Sequence, residues 1–264
     1  NIILLYADDL GYTDLSCQGS DYYRTPNIDR LAKEGMTFTN AYAAAANCAP
    51  SRASLMTGLY TPRHGVFTVG NSDRGKAAHR RLIPATNKTV LTRALPTMAQ
   101  ILKNAGYRTA VAGKWHLSDD PIPYGFDTNF GGLKWGAPKS YFSPYRNPKL
   151  KDGPKGEHLP ARLATDLCHW IRNAEEKNER FFVYFPFYSV HTPIQARADL
   201  TAKYNGKSGT HHRNAKYAAM VEAMDLAVGQ ILDLLDELKL ASNTLVVFTS
   251  DNGPHGGVSN ARPL

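Results

Sequence analysis

Four short apolar runs in this 264-residue chain are each followed directly by acidic, basic, imidazole or amide side chains. The runs are NIILLYA at 1–7, YRTAVAG at 107–113, FFVYFPFYSV at 181–190 and NTLVVFTS at 243–250. Runs of this length, rich in β-branched and aromatic residues, are typical of strands buried on both faces of a parallel sheet. Pro186 weakens the third prediction, because proline has no N–H to donate within a central strand.

Helical segments with recognisable ends separate the predicted strands. Thr25 is placed to cap a helix that begins at Pro26 and stops at Gly35. Pro96 and Gly106 bracket a second helix. Strands that alternate with helices in this way predict an α/β fold.

The longest predicted helix covers 213–240. Its apolar residues recur at alternating steps of four and three: Tyr217, Val221, Met224, Val228, Ile231, Leu235 and Leu238. This stripe indicates a helix face that packs on a core. The length of the chain favours one large domain, and we expect a three-layer α/β/α sandwich around a mostly parallel sheet.

Polar residues follow each predicted strand, and open α/β sheets bind ligands beyond the carboxyl ends of their strands. The residues are Asp8 and Asp9, Lys114 and His116, His191, and Asp251 with Asn252. Singly, an Asp-Asp pair or a DNG sequence is typical of a cap or a turn. Together they favour a common site, because four strands deliver them to one rim. Three carboxylates and an amide oxygen suit a hard cation, Ca²⁺ in preference to Mg²⁺ because Ca²⁺ tolerates irregular shells.

The sequence CAPSR at 48–52 places a cysteine near the predicted start of another helix. We expect that helix to begin at Pro50, to run to Thr57 and to stop at Gly58. Unpaired amides and the helix dipole stabilise an anion at such an end, and Arg52 lies one turn further on. A low-pKa thiolate is one interpretation. The longer phosphate-cradling loop of cysteine-dependent phosphatases does not follow this cysteine.

Composition and charge argue against a disulfide-stabilised fold, a nucleic-acid-binding protein and a membrane-spanning protein. The three cysteines allow at most a pairing of Cys17 with Cys168, so a disulfide framework is not expected. The 31 basic and 23 acidic residues give a net charge of +8, with small basic clusters at 74–81 and 149–155. Such an excess favours anionic partners or is simply a solvated surface. No nucleic-acid-binding motif accompanies it, and the apolar runs are too short to span a membrane.

CAPSR followed by ASLMTG resembles the sulfatase signature, in which the cysteine is converted after translation to formylglycine. Further segments match that family in order along nearly the whole chain: YADDLGY, TPNIDRLAKEG, GKWHL at 113–117, YGFD at 124–127, HTP at 191–193 and SDNG at 250–253. The resemblance implies an alkaline-phosphatase-like fold and an arylsulfatase-like sulfuric ester hydrolase.

The resemblance also implies a metal site. Asp8, Asp9, Asp251 and Asn252 would hold a divalent ion, usually calcium, together with an oxygen of the modified Cys48. This agrees with the ligand set inferred from the strand ends. In the family, the hydrated aldehyde attacks the sulfur of a sulfate ester, and its second hydroxyl later expels the sulfate.

Four further residues receive catalytic roles from the resemblance. Arg52 and Lys114 would neutralise charge on the nucleophile and the sulfuryl oxygens. His116 would contact the formylglycine hydroxyl, and His191 would donate a proton to the leaving group. The other histidines are interpreted as packed or solvent-facing: His64, His79, His158, His169, His211, His212 and His255.

Residues 118–160 form a long segment rich in proline, glycine and aromatic residues, without clear periodicity. Long irregular loops are often functional, so we expect a substrate-facing insertion. Trp135, Tyr141 and Tyr145, with nearby lysines, would stack on sugar rings and attract sulfates, which favours a sulfated carbohydrate over a small aryl sulfate. Ordinary packing of these aromatic side chains is the alternative.

Two other functions remain open. One is a phosphonate or phosphate ester hydrolase of the same superfamily. The other is an inactive sulfatase-like binding protein, since the chain ends at Leu264, before the further lysine and the smaller C-terminal domain of the family; 1–264 would then be an incomplete catalytic domain. The resemblance implies a formylglycine-generating enzyme as maturation partner and a periplasmic, extracellular or lysosomal location. The NKT sequon at Asn87 is too short a motif to decide the location.

Overall fold

Five parallel strands form the central sheet of the protein. The structure is a computed structural model and describes residues 1–259. The strands are β1 (Ile2–Ala7), β2 (Arg108–Ala112), β3 (Thr128–Phe130), β4 (Phe181–Pro186) and β5 (Leu245–Ser250). Their order across the sheet is β3-β2-β4-β1-β5. The strand that carries Asp8 and Asp9 at its end is therefore flanked by β4 and β5.

Helices cover both faces of the sheet. They are α1 (Pro26–Glu34), α2 (Cys48–Thr57), α3 (Thr61–His64), α4 (Met98–Asn104), α5 (Leu159–Glu176), α6 (Ala198–Ala202) and α7 (Ala215–Glu237). One face packs on α1, α5 and α7, through residues such as Ile28, Leu167 and Val221. The other packs on α2 and α4, through Ala53 and Ala99 among others. The predicted three-layer α/β/α sandwich is confirmed.

The four predicted strands are confirmed, each somewhat shorter than predicted and the third the most shortened. The third ends at Pro186 rather than at residue 190. Proline is tolerated in this central strand because it is the last residue, where its carbonyl accepts a hydrogen bond from the amide of Lys114 at 2.7 Å. The short strand β3 and the helix α5 were not predicted.

One helix start and one helix cap differ from prediction. α2 begins at Cys48 instead of Pro50 and ends, as predicted, before a left-handed Gly58. Thr25 precedes α1 but does not cap it with its side chain. The first amides of α1 are instead bound by Asp225 of α7, whose Oδ1 accepts from the amide of Ile28 at 2.8 Å. A carboxylate nearly 200 residues away satisfies the helix end, which a local reading of the sequence misses.

The three cysteines are free, so Cys17 and Cys168 do not pair. In the described part of the chain, no helix combines the length and the apolarity that a membrane span requires.

Candidate active site

The residues after β1 and β5 meet at the carboxyl edge of the sheet because the two strands are neighbours. The amide of Asp9 donates to Oδ1 of Asp251 at 3.1 Å. Nδ2 of Asn252 donates to Oδ1 of Asp9 at 2.6 Å. Asp8 and Asp251 are fully buried, while Asp9 retains some exposure at the rim. Asp8 and Asp251 therefore lie together in the buried part of this edge, and Asp9 pairs with Asn252 at its rim.

Two buried cations balance the buried acids. The guanidinium of Arg52 donates to Oδ2 of Asp251 through Nη2 at 2.7 Å and through Nε at 3.0 Å, and it lies 3.3 Å from Asp8. The ammonium of Lys114 contacts both carboxylate oxygens of Asp8. Burial alone would raise the pKa of Asp251, but Arg52 and Lys114 outweigh it and hold that pKa below its ordinary value.

Lys114 reaches this position because the preceding residue is glycine. Gly113 has a φ of +114°, and a Cβ there would lie 2.1 Å from the carbonyl oxygen of Pro186. Only glycine allows β2 to turn so closely against β4. Gly113 was part of the GKWHL match, but its steric role could not be read from the sequence.

Cys48 lies beside the same carboxylates. Its Sγ and one oxygen each of Asp8 and Asp251 all lie within 4.8 Å of one another. Its side chain is buried, and burial raises the pKa of its thiol above the ordinary value, against the opposite effect of Lys114. The low-pKa thiolate considered for this position is therefore wrong for the unmodified residue, because desolvation outweighs the helix end and the cations.

The donor set at this edge fits a hard divalent cation. Beside the Cys48 thiol, it consists of carboxylate and amide oxygens, which are the ligands that Ca²⁺ and Mg²⁺ prefer. Oδ1 of Asn252 is buried and accepts no hydrogen bond from any residue in the described range 1–259. A buried acceptor without a donor fits a role as metal ligand.

His116 lies at the same rim, with its ring against Gly136. A Cβ on Gly136 would come 2.8 Å from Cε1 of His116, so the glycine makes room for the ring. Burial, with the cations Lys114 and Arg52, lowers the pKa of His116 to about 3, and the ring is therefore neutral at pH 7. Its Nδ1 is buried and has no partner within residues 1–259.

The orientation of His191 determines which nitrogen can exchange a proton. Nδ1 lies 2.8 Å from the carbonyl oxygen of Thr192, to which it can only donate. Nε2 then faces the site, 3.6 Å from Oδ2 of Asp9. Burial and Lys114 lower the pKa of His191.

Two of the three aromatic residues expected to bind sugar do not line a surface. Tyr141 and Tyr145 are 0% and 1% exposed. The hydroxyl of Tyr141 donates to the carbonyl oxygens of Tyr188 and His191. That prediction is wrong for both tyrosines, which are packing residues. Trp135 is partly exposed, with the ammonium of Lys139 5.1 Å from its ring centroid.

A further buried carboxylate, Asp14, was missed in the sequence and supports the acid cluster. Asp14 is fully buried and accepts hydrogen bonds from the amide of Gly11 at 2.9 Å, the hydroxyl of Tyr217 at 2.6 Å and the hydroxyl of Ser259 at 2.5 Å. The same Tyr217 hydroxyl lies 3.3 Å from the carbonyl oxygen of Asp9. Asp14 thus joins the loop after β1 to the segment after β5.

Comparison with known proteins identifies the family of the chain. The family model for sulfatases matches residues 1–263. The chain is 35% identical over 331 residues to a sulfatase of Formosa agariphila, covering 100% of this chain and 59% of that protein. It is 33% identical over 290 residues to human N-acetylgalactosamine-6-sulfatase, covering 98% and 52%. The chain therefore spans only about half of the length of such relatives.

Solved structures share the fold. The crystal structure of Ps i-CgsB in complex with k-i-k-neocarrahexaose matches with a TM-score of 0.84 and 31% identity, covering 100% of this chain and 61% of that chain. Phosphonate monoester hydrolase of Agrobacterium radiobacter matches with a TM-score of 0.73, covering 96% and 62%, and at 18% identity it shares the fold alone. Because the family model covers nearly the whole sequence and relatives exceed 30% identity, the chain belongs to the sulfatase family.

Proposed function

We propose that the protein hydrolyses sulfate esters at the rim formed by the ends of β1, β2, β4 and β5. The observation that carries this proposal is the convergence of Cys48 with the carboxylates of Asp8 and Asp251 beside two buried cations. An acidic cation site, a convertible cysteine and two histidines at one edge suit attack on an anionic ester.

We propose that Cys48 acts as formylglycine, formed by a formylglycine-generating enzyme. Its buried thiol, with a raised pKa, is a poor nucleophile as it stands. Formylglycine would supply a hydrated-aldehyde oxygen as the nucleophile. Asp8, Asp9, Asp251 and Asn252 would hold a divalent cation, Ca²⁺ in preference to Mg²⁺, which would polarise the sulfate oxygens.

The chain's own cations and histidines complete the site. Arg52 and Lys114 place two positive charges next to the position of residue 48, where they attract the sulfate and stabilise negative charge that develops on it. His116, neutral at pH 7, is able to accept a proton from a hydroxyl at residue 48. His191 presents Nε2 to the site, and in its imidazolium form, with Nδ1 donating to Thr192, it would donate the Nε2 proton to the oxygen of the leaving alcohol.

A sulfated carbohydrate is the proposed substrate class. Two relatives support it through their names: N-acetylgalactosamine-6-sulfatase, and a structure determined with k-i-k-neocarrahexaose. After Tyr141 and Tyr145 are assigned to packing, the partly exposed Trp135 with the exposed Lys139 supports sugar binding by the segment 118–160. We further propose a location in the periplasm or outside the cell, or in the lysosome of a eukaryote.

The test combines mass and activity. The tryptic peptide 34–52 from protein made with formylglycine-generating activity should carry an aldehyde at position 48. That protein should hydrolyse sulfate esters, while Cys48→Ala should not. An intact thiol at position 48 together with full activity would contradict the proposed nucleophile. A higher kcat/KM for a phosphonate or phosphate ester than for the matched sulfate ester would favour the other hydrolase. Full conversion with no turnover of any ester would favour a binding protein.

A further inference from the structure

His191 lies in an irregular connection, so the position of its main chain depends on contacts with other parts of the protein. The connection runs from the end of β4 at Pro186 to the start of α6 at Ala198. The imidazole contacts the neighbouring Thr192 through Nδ1 and lies 3.6 Å from Asp9 through Nε2. Both are contacts of the ring, and the main chain of the turn is held by other groups.

Tyr141 holds this main chain from one side. Its hydroxyl donates to the carbonyl oxygen of Tyr188 at 2.5 Å and to that of His191 at 2.9 Å. The amide of His191 donates to the same Tyr188 carbonyl at 3.0 Å, which closes a tight turn at 188–191. Further along the connection, Oε1 of Gln195 accepts from the amide of Tyr141 at 2.8 Å. The hydroxyl therefore bridges the two ends of the turn that carries His191.

The strand β1 holds the other side of the turn. The amide of Val190 donates to the carbonyl oxygen of Asp8 at 2.7 Å, and the amide of Asp8 donates to the carbonyl oxygen of Ser189 at 2.9 Å. The turn therefore lies between the segment that supplies the proposed cation ligands and the hydroxyl of Tyr141. Loss of that hydroxyl would leave the turn bound to β1 alone of these two supports.

Tyr141 is itself held in a fixed position. It is 0% exposed and packs in the hydrophobic core with residues of α5. Its carbonyl oxygen accepts from the amide of Leu159, the first residue of α5, at 2.8 Å. A side chain in a close-packed core keeps one position, so its hydroxyl is a rigid support for the turn.

We propose that Tyr141 is a positioning residue for His191, which fixes the turn 188–191 so that Nε2 of His191 faces the leaving-group side of the site. The inference rests on the proposed function, in which His191 gives its Nε2 proton to the leaving alcohol and keeps the proton on Nδ1. Displacement of a catalytic group by about 1 Å costs about 100-fold in rate. Tyr141 acts through His191 and not on the substrate, since its side chain is fully buried.

The test compares two variants that each remove one buried hydroxyl. Tyr141→Phe keeps the packed ring and removes the group that bridges the turn. Tyr145→Phe is the control, because Tyr145 belongs to the same segment and is 1% exposed. Its hydroxyl donates to Oε2 of Glu157 at 2.8 Å, and Glu157 in turn contacts Arg162 of α5. Thermal unfolding should be similar for the two variants.

The first readout needs no turnover and uses Cys48→Ala protein in saturating Ca²⁺. Nitrogen NMR of the histidine rings shows which ring nitrogen carries the proton, and His191→Gln identifies the signals of His191. At alkaline pH, where the ring is neutral, the parent and Tyr145→Phe should hold the proton on Nδ1. Tyr141→Phe should populate the Nε2 form as well, because a loosened turn weakens the contact with Thr192. A proton held on Nδ1 as completely as in the parent would overturn the proposal.

The second readout is the dependence of kcat/KM on the leaving group, with residue 48 converted. Phenyl sulfate needs a proton donor more than para-nitrophenyl sulfate does, because phenol is the poorer leaving group. We expect Tyr141→Phe to lose about tenfold on phenyl sulfate, since general acid catalysis contributes at least about 100-fold, and to lose little on para-nitrophenyl sulfate. Tyr145→Phe should keep the parent's ratio of the two. Equal losses of Tyr141→Phe on both esters would overturn the proposal, as would an undiminished loss in a His191→Gln background.

The two readouts separate this inference from the proposed function. If the parent hydrolyses no sulfate ester but the ring proton of His191 moves in Tyr141→Phe, the proposed function fails while the positioning of His191 stands. If the parent hydrolyses both esters and Tyr141→Phe changes neither the ring proton nor the ratio of the two rates, the positioning of His191 by Tyr141 fails alone.

Discussion

The ammonium of Lys114 lies 2.7 and 2.6 Å from the two carboxylate oxygens of Asp8, and neither side chain is exposed to solvent. Removing one partner of a buried ion pair leaves an uncompensated charge and costs about 3–5 kcal/mol. Because Arg52 still lies 3.3 Å from Asp8, we expect Lys114→Met to destabilise the metal-free protein by less than that amount and to lower kcat by at least about 100-fold.

A bound cation should change the size of this effect. Ca²⁺ at Asp8 would compensate the charge that Lys114→Met leaves, so the loss of stability should shrink in saturating Ca²⁺. Denaturant unfolding in the presence of a chelator, and again in saturating Ca²⁺, measures the loss of stability in the metal-free and the metal-bound protein. Asp8→Asn/Lys114→Met, which removes both charges, should recover much of the metal-free stability. An equal loss with and without the cation would contradict a metal site at Asp8.

Tyr217→Phe should weaken cation binding without unfolding the protein. The hydroxyl donates to Asp14 and lies 3.3 Å from the carbonyl oxygen of Asp9, so its loss loosens the loop that carries two ligands. Loss of one buried hydrogen bond costs about 1 kcal/mol, and we expect the Kd for Ca²⁺ to rise about fivefold by calorimetry.

The matched control for Tyr217→Phe is another buried tyrosine, Tyr204, whose hydrogen bond also reaches α7. The hydroxyl of Tyr204 donates to Glu222 of α7 at 2.7 Å, in a different hydrogen-bond network. Tyr204→Phe should lose similar stability and bind Ca²⁺ like the parent. If both variants weaken binding equally, the effect is one of general stability rather than of the Asp9 loop.

Gly136→Ala should lower kcat while the fold persists. The added Cβ would lie 2.8 Å from Cε1 of His116 and must displace that ring, whereas a Cβ at Gly256 meets no atom within 4 Å. A displacement of this kind costs about 100-fold in rate when it moves a catalytic group by about 1 Å. Circular dichroism and steady-state kinetics on Gly136→Ala and Gly256→Ala provide the comparison. Normal kcat in Gly136→Ala would argue against a role for His116.

Asp225 should make stability depend on pH. Burial raises the pKa of Asp225 to about 6, despite the hydrogen bonds that it accepts from Asn27 and Ile28. Because the folded protein then holds this proton more tightly than the unfolded chain, the Asp225 contribution to stability is fully present below about pH 4 and is lost as the pH rises through about 6. The difference in unfolding free energy between the parent and Asp225→Asn should follow this course. A difference that stays constant from pH 4 to 7 would contradict the raised pKa.

The sequence was most informative about the polar residues that directly follow predicted strands. The ends of β1, β2, β4 and β5 were predictable because apolar runs and the polar residues after them are local patterns, and neighbouring parallel strands bring those ends together. The strand ends thus meet at one edge of the sheet as the pattern predicts.

What the sequence could not predict depends on contacts between distant residues. Tyr141 and Tyr145 lie in a loop segment that predicts exposure, yet they fill the core beside α5. The capping of α1 by Asp225 and the fit of Gly136 against His116 likewise need the three-dimensional packing. Local propensity carries no information on such contacts.

The hydrogen bond between the amide of Asp9 and Asp251 joins residues 242 positions apart, and β1 pairs with the last strand of the described chain. Such a high contact order delays completion of the sheet until nearly all of these residues have left the ribosome. During most of synthesis, the Asp251 carboxylate is therefore not yet in place beside Cys48. An enzyme that modifies this cysteine would find it most accessible on the nascent chain, before β5 docks against β1.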